Sequence, residues 1–179
     1  MRRRLAVAIA AALSSTLGAA QETIDVAPGT TSVVITPENF PDGAIINVAD
    51  GLRLEEILIA PVADPASLGS VPPFEINIDG TVGDAVQGTE NFDVNSFVPL
   101  AAVNIGTTGV VSNLALNGGA TLTNNGTIAM APADSAFGGT TLLLTVPFND
   151  TSGGVSSYTV VNNGSISSSG ETFAGGIFG

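Results

Sequence analysis

Leu122-Thr123-Asn124-Asn125-Gly126-Thr127-Ile128 returns almost unchanged as Val160-Val161-Asn162-Asn163-Gly164-Ser165-Ile166, and in acidic form as Ile76-Asn77-Ile78-Asp79-Gly80-Thr81-Val82. Each copy runs from an aliphatic residue through an Asn-Gly or Asp-Gly pair and a small hydroxyl residue to a second aliphatic. The copies start 46 and 38 residues apart. Weaker relatives stand at Asn104-Ile105-Gly106-Thr107-Thr108-Gly109-Val110 and Leu116-Asn117-Gly118-Gly119-Ala120. An Asn-Gly pair turns the chain tightly because both residues tolerate positive φ. The flanking aliphatics then point to one interior.

In a parallel β-helix no rung buries its apolar face alone, so each stacks on the next. Asparagines at equivalent turns hydrogen-bond along such a stack, as in the Asn ladders of cross-β structures. With rungs of about 20 residues, spacings near 40 put the clearest motif on every second rung. The same dipeptide is the strongest short hairpin signal, so an antiparallel β-sandwich is the alternative. Three copies with matching flanks favour the solenoid. The residues singled out as repeat turns are Asp79, Gly80, Asn124, Asn125, Gly126, Asn162, Asn163 and Gly164.

Outward from these turns the chain reads as short strands. Phe74-Glu75-Ile76-Asn77-Ile78-Asp79 alternates with period two, and β-branched runs occur at Ser32–Thr36 and Ala44–Val48. Further runs follow at Ala102–Ile105, Leu114–Leu116, Ala120–Thr123, Leu142–Val146 and Tyr158–Val161. Leu52–Ile59 is the one candidate helix, with Asp50 as N-cap and Pro61 as stop, although its aliphatics also suit a strand. The fold class expected is all-β: a parallel β-helix over 74–179 behind an N-terminal cap and loop region at 21–73. In that cap, acids and prolines blunt edge pairing. Residues 61–73 would be its loop.

Composition narrows the chemistry. The 179 residues contain no histidine, cysteine, tryptophan or lysine, and the only cations are Arg2, Arg3, Arg4 and Arg53. Histidine bases, cysteine nucleophiles, thiolate metal sites and lysine Schiff bases are excluded. No disulfide forms, and too few cations remain to neutralise nucleic-acid phosphates.

Residues 1–20 have the three parts of a secretory signal: Arg2–Arg4, the apolar run Leu5–Leu13, and small residues at Gly18-Ala19-Ala20. The run is too short for a spanning helix, so the mature chain is expected to carry no integral membrane segment. Cleavage after Ala20 leaves Arg53 against sixteen acids, a formal −15. Thirteen of those acids lie between Glu22 and Asp93. The expected location is the periplasm, cell surface or medium.

From Phe74 onward the chain resembles the repeat region of bacterial autotransporter passengers and haemagglutinin-like surface proteins. Leu122–Ile128, Val160–Ile166 with the spacer Ser167-Ser168-Ser169-Gly170, and the strand start Glu171–Ile177 carry that likeness. The resemblance implies a right-handed β-helix, export, and adhesin-like binding to surface glycans or to host or neighbour-cell proteins. No stretch reads as that family's translocator barrel. Residues 175–179 stand inside a repeat, so repeats are expected to continue past Gly179, and an uncapped last rung implies self-association through the open edge.

Asp79, Asp84, Glu90 and Asp93 are the carboxylates available for glycosidase chemistry, the enzymatic alternative. Asp79–Asp84 is the densest group for calcium, but neither the EF-hand nor the Gly-Gly-x-Gly-x-Asp pattern occurs. Surface solvation explains these acids better. No catalytic residue and no cofactor is therefore expected. The sequons at Asn125, Asn149 and Asn163 and the aromatics Phe137, Phe148, Tyr158, Phe173 and Phe178 are read as turn and packing residues.

Overall fold

The structure is a computed structural model that describes residues 21–64, 71–83, 93–130, 142–145 and 157–168. The signal segment 1–20, Asp84, Glu90, Phe137, Phe148, Asn149, the spacer from Ser169 and the strand start at 171–177 lie outside the described residues, as do residues 65–70 of the expected loop at 61–73.

In chain order the strands are β1 (Glu22–Asp25), β2 (Ser32–Ile35), β3 (Ala44–Val48), β4 (Arg53–Leu54), β5 (Glu56–Ile59), β6 (Phe74–Ile78), β7 (Thr81–Val82) and β8 (Val94–Ser96). They continue as β9 (Ala102–Ile105), β10 (Val110–Val111), β11 (Leu114–Asn117), β12 (Ala120–Asn124), β13 (Thr127–Met130), β14 (Leu142–Thr145), β15 (Tyr158–Asn162) and β16 (Ser165–Ser168). The stretch read as a candidate helix is two strands, β4 and β5. Its aliphatics Leu54, Ile57 and Ile59 all face the core, and Glu56 and Leu58 alternate with them. Period two wins over the caps.

Three sheets result. Sheet 1 holds β1, β3, β6, β9, β12 and β15; sheet 2 holds β4, β7, β10, β13 and β16; sheet 3 holds β2, β5, β8, β11 and β14. From β3 onward the chain visits sheet 1, then sheet 2, then sheet 3, and begins again. Every pairing among the described residues is parallel. A hairpin reading of Asn-Gly is thereby corrected: Asn125-Gly126 carries the chain from sheet 1 to sheet 2, not back along its own strand. The arrangement is all-β and consistent with a solenoid-like fold.

Strands β1–β5 belong to the same three sheets as the later ones, so among the described residues the stack reaches back to Glu22 and takes in much of the region read as a cap. Those strands lack the Asn-Gly signature because their corners use other residues. Gly51, at φ +78, serves one of them. Gly43 serves another, and an added Cβ there would overlap the Pro73 carbonyl.

Inward-facing residues stack in columns. In sheet 1, Ile24, Ile46, Ile76, Val103, Leu122 and Val160 lie in register. Sheet 2 contributes Leu54, Val82, Val111, Ile128 and Ile166, and sheet 3 contributes Val33, Ile57, Val94, Leu114 and Leu142. All three columns meet in one core, where each fully buried aliphatic contributes about 1.5–3 kcal/mol. Phe40 closes against Phe74 edge to face, with ring centroids 6.5 Å apart. Ser96 interrupts a sheet 3 column yet is fully buried. Its hydroxyl donates to the Val98 carbonyl at 2.7 Å, so no polar atom is left bare.

One full passage through the sheets varies in length. Ala44 and Phe74 are register partners thirty residues apart, Ala102 and Thr121 nineteen, and Ala120 and Tyr158 thirty-eight. The variation has an address. From β3 onward the step from sheet 1 to sheet 2 takes two to four residues, whereas the steps into and out of sheet 3 include 60–73, 83–93, 131–141 and 146–157.

Candidate functional site: the asparagine corner

All eight residues singled out as repeat turns sit at the corner between sheets 1 and 2. Asp79-Gly80 joins β6 to β7, Asn125-Gly126 joins β12 to β13, and Asn163-Gly164 joins β15 to β16, with Asn124 and Asn162 ending β12 and β15. The spacing of 38 is one passage rather than two, because β15 pairs directly with β12. The spacing of 46 is two, with Asn104–Val110 as the passage between. Rung length is unequal because the loops flanking sheet 3 are unequal.

Glycine at this corner is required by close approach. Gly80, Gly109, Gly126 and Gly164 each precede the sheet 2 strand of their passage. The carbonyls of Gly80, Gly109 and Gly126 accept the N–H of Val110, Thr127 and Ser165 respectively, each at 2.9 Å. A Cβ at Gly126 would stand 2.2 Å from the Gly109 carbonyl oxygen, and one at Gly164 would stand 2.1 Å from that of Gly126. No side chain fits there.

The corner also explains a polar residue in an aliphatic column. Val48, Ile78, Ile105, Asn124 and Asn162 are in register, and Asn124 is 0% exposed. At the other two-residue turns, both turn N–H groups reach one carbonyl of the neighbouring passage. Asp79 and Gly80 donate to Val48 O, and Asn163 and Gly164 donate to Asn124 O, at 2.8 and 3.0 Å in each case. Asn125-Gly126 packs on the longer turn 106–109. Asn125 N–H still reaches Ile105 O at 2.8 Å, but Gly126 N–H bonds Asn124 Oδ1 at 3.1 Å. Asn124 Nδ2 donates onward to Asn162 Oδ1 at 2.7 Å and to the Ser165 carbonyl at 3.1 Å. The side chain supplies the acceptor that the Gly126 N–H does not find in the Ile105 carbonyl, as a buried N–H requires. Outside it, Asn163 Nδ2 donates to Asn125 Oδ1 at 3.0 Å.

A second ladder was not singled out from the sequence. On the outer face of sheet 1, Asn47 Nδ2 donates to Asp25 Oδ1 at 2.9 Å, Asn77 to Asn47 at 3.0 Å, and Asn104 to Asn77 at 2.9 Å. Asn104 also reaches Glu75 Oε1 at 3.2 Å. The signal was present in the strands themselves, as Ile24-Asp25-Val26, Ile46-Asn47-Val48, Ile76-Asn77-Ile78 and Val103-Asn104-Ile105. An amide between two aliphatics marks the outward position of each copy.

Of the candidate acids, the two described ones, Asp79 and Asp93, stand at different corners. Asp79 stands at the sheet 1–sheet 2 corner, where its carbonyl accepts the Thr108 hydroxyl at 2.8 Å. Asp93 precedes β8 at the next corner. It is 7% exposed, and its carboxylate lies against Gly83 and Ser112. Among the described residues no group of three or more acids is placed to hold a metal ion. Arg53 spends its guanidinium on the Gly83 carbonyl at 3.3 Å. Tyr158 is a packing residue, half-buried with its hydroxyl donating to Leu116 O at 2.8 Å. At Glu38 the Ala63 N–H, donating to Oε1 at 2.7 Å, holds the carboxyl below the usual glutamate range. No helix among the described residues is long and apolar enough to cross a membrane. No protein-family model, curated protein or solved structure matches the chain.

Proposed function

We propose that the chain is an exported right-handed parallel β-helix, an adhesin-like passenger that holds loops out to glycans or proteins of cell surfaces. One observation carries this reading. Between the described strands from β3 onward, the long connecting segments fall at the steps into and out of sheet 3, while the sheet 1–sheet 2 corner stays at two to four residues. Solenoids that display binding loops collect their per-repeat insertions on one side and keep the stacking seam constant. The seam here is the Asn-Gly corner with its glycine column. A rod of this kind needs no catalytic group, which suits a chain without histidine, lysine or cysteine.

The test has two stages. Expressed in a bacterial host with residues 1–20, the protein should appear outside the cytoplasm with Gln21 as its first residue. Purified protein should then bind surface glycans or whole cells. A variant with 60–73 and 83–93 cut to two-residue turns should keep its β circular dichroism and lose the binding. Retention in the cytoplasm, or full binding after both loops are shortened, contradicts the reading.

A further inference from the structure

Asn-Gly is the dipeptide most prone to self-cyclisation, because glycine offers no side chain to hinder attack by its own nitrogen. In that reaction the Gly nitrogen loses its proton and bonds to the Asn Cγ. The Cγ–Nδ2 bond breaks, and Nδ2 leaves as ammonia. Solvent water then opens the cyclic imide at either carbonyl, leaving aspartate or isoaspartate. The reaction needs a free nitrogen and a mobile turn.

The stack is built on this dipeptide, at Asn125-Gly126 and Asn163-Gly164, and both asparagine side chains are exposed. Neither glycine nitrogen is free. Gly126 N–H is held by Asn124 Oδ1 at 3.1 Å, and Gly164 N–H by the Asn124 backbone carbonyl at 3.0 Å. One buried residue therefore holds both nucleophiles, one through its side chain and one through its main chain.

We infer that Asn124 is a positioning residue that guards the two corner Asn-Gly pairs against succinimide formation, its side chain protecting Asn125 and its backbone protecting Asn163. The amide–amide bond from Asn163 to Asn125 adds restraint at the Cγ end of both sites. A third pair among the described residues, Asn117-Gly118, has its asparagine buried; the two corner sites are the exposed ones, and folding closes them.

The split between side chain and backbone makes the inference testable. Purified protein is incubated at mildly alkaline pH, and conversion at each asparagine is read by peptide mapping. In the native protein both sites should convert far more slowly than in the same protein held in denaturant. Equal rates there overturn the inference without any variant. Asn124→Ala should raise conversion at Asn125 by up to about tenfold, the rate equivalent of withdrawing one hydrogen bond, while Asn163 keeps its native rate. Asn124→Thr, whose hydroxyl can accept from the N–H two residues on and still donate, should restore protection at Asn125. A folded Asn124→Ala protein in which both sites accelerate together, or neither does, contradicts the assignment. If Asn124→Ala does not fold, the Thr variant decides: protected Asn125 supports the inference, and exposed Asn125 overturns it.

Discussion

Asn124 and Asn162 touch across thirty-eight residues of chain, Nδ2 to Oδ1 at 2.7 Å, as direct register partners of β12 and β15. The pair ends a column that is otherwise Val48, Ile78 and Ile105. Asn124→Ala removes this bond and leaves the Gly126 N–H without its acceptor. A buried donor left bare costs about 1–3 kcal/mol, and urea denaturation should show a loss in that range.

Glycine 126 gives a steric prediction at the same corner. Its Cβ would sit 2.2 Å from the Gly109 oxygen and 2.4 Å from the Gly106 oxygen, both main-chain atoms. Gly126→Ala should therefore destabilise by about 1–3 kcal/mol, the usual range for overpacking, or more. Gly29→Ala is the contrast. Nothing lies within 4 Å of its Cβ, and its penalty comes only from φ +86, roughly 1–2 kcal/mol. Thermal melts of the two variants separate clash from backbone strain.

The outer ladder predicts coupling. Asn77 donates to Asn47 and accepts from Asn104, so Asn77→Ala breaks two bonds, whereas Asn47→Ala breaks the bonds to Asp25 and from Asn77. Each single change should cost about 1 kcal/mol net, since these amides remain near solvent. In a double-mutant cycle the two losses should fall short of additivity by roughly 0.5 kcal/mol or more, because one bond is shared. Strict additivity would mean the amides do not pair in solution.

Glu38 supplies the pH dependence. The Ala63 N–H lowers its carboxyl below the usual glutamate range. A depressed acid contributes stability that is fully present above its unfolded value and is lost as pH falls through its folded value. Protection of the Ala63 amide, its exchange relative to that of the unfolded chain at the same pH, should therefore hold through neutral pH and fall as the medium turns more acidic than an ordinary glutamate requires. In Glu38→Gln the same amide should exchange with no such acid step.

Much of the architecture was legible in the chain, and the reason is local. Period two in Phe74–Ile78 and the Asn-Gly turns depend only on neighbouring residues. Rung length was not legible, since it is set by loops such as 60–73 whose extent leaves no trace in the strand pattern. The reach of the stack back to Glu22 was hidden for a related reason. Those early corners use Gly43, Gly51 and prolines, so the strands lack the signature that marks later ones. The outer ladder was missed although its tripeptides were visible, because the outward residue of a single strand looks like any solvated amide. The burial of Asn124 was out of reach, since two of its partners, Asn162 and the Ser165 carbonyl, come from the next passage.

The claim on which everything else rests is the parallel register that brings residues thirty-eight positions apart into contact. The chain has no cysteine, so an introduced pair reads that register cleanly. Thr121 and Thr159 are exposed register partners, and parallel neighbours about 4.8 Å apart fall within disulfide reach. Under mild oxidation, the Thr121→Cys/Thr159→Cys protein should form an intramolecular disulfide readily, and the Thr121→Cys/Val161→Cys protein, two residues out of register, should not. Equal cross-linking of both pairs, or of the second alone, would contradict the stacked parallel sheets.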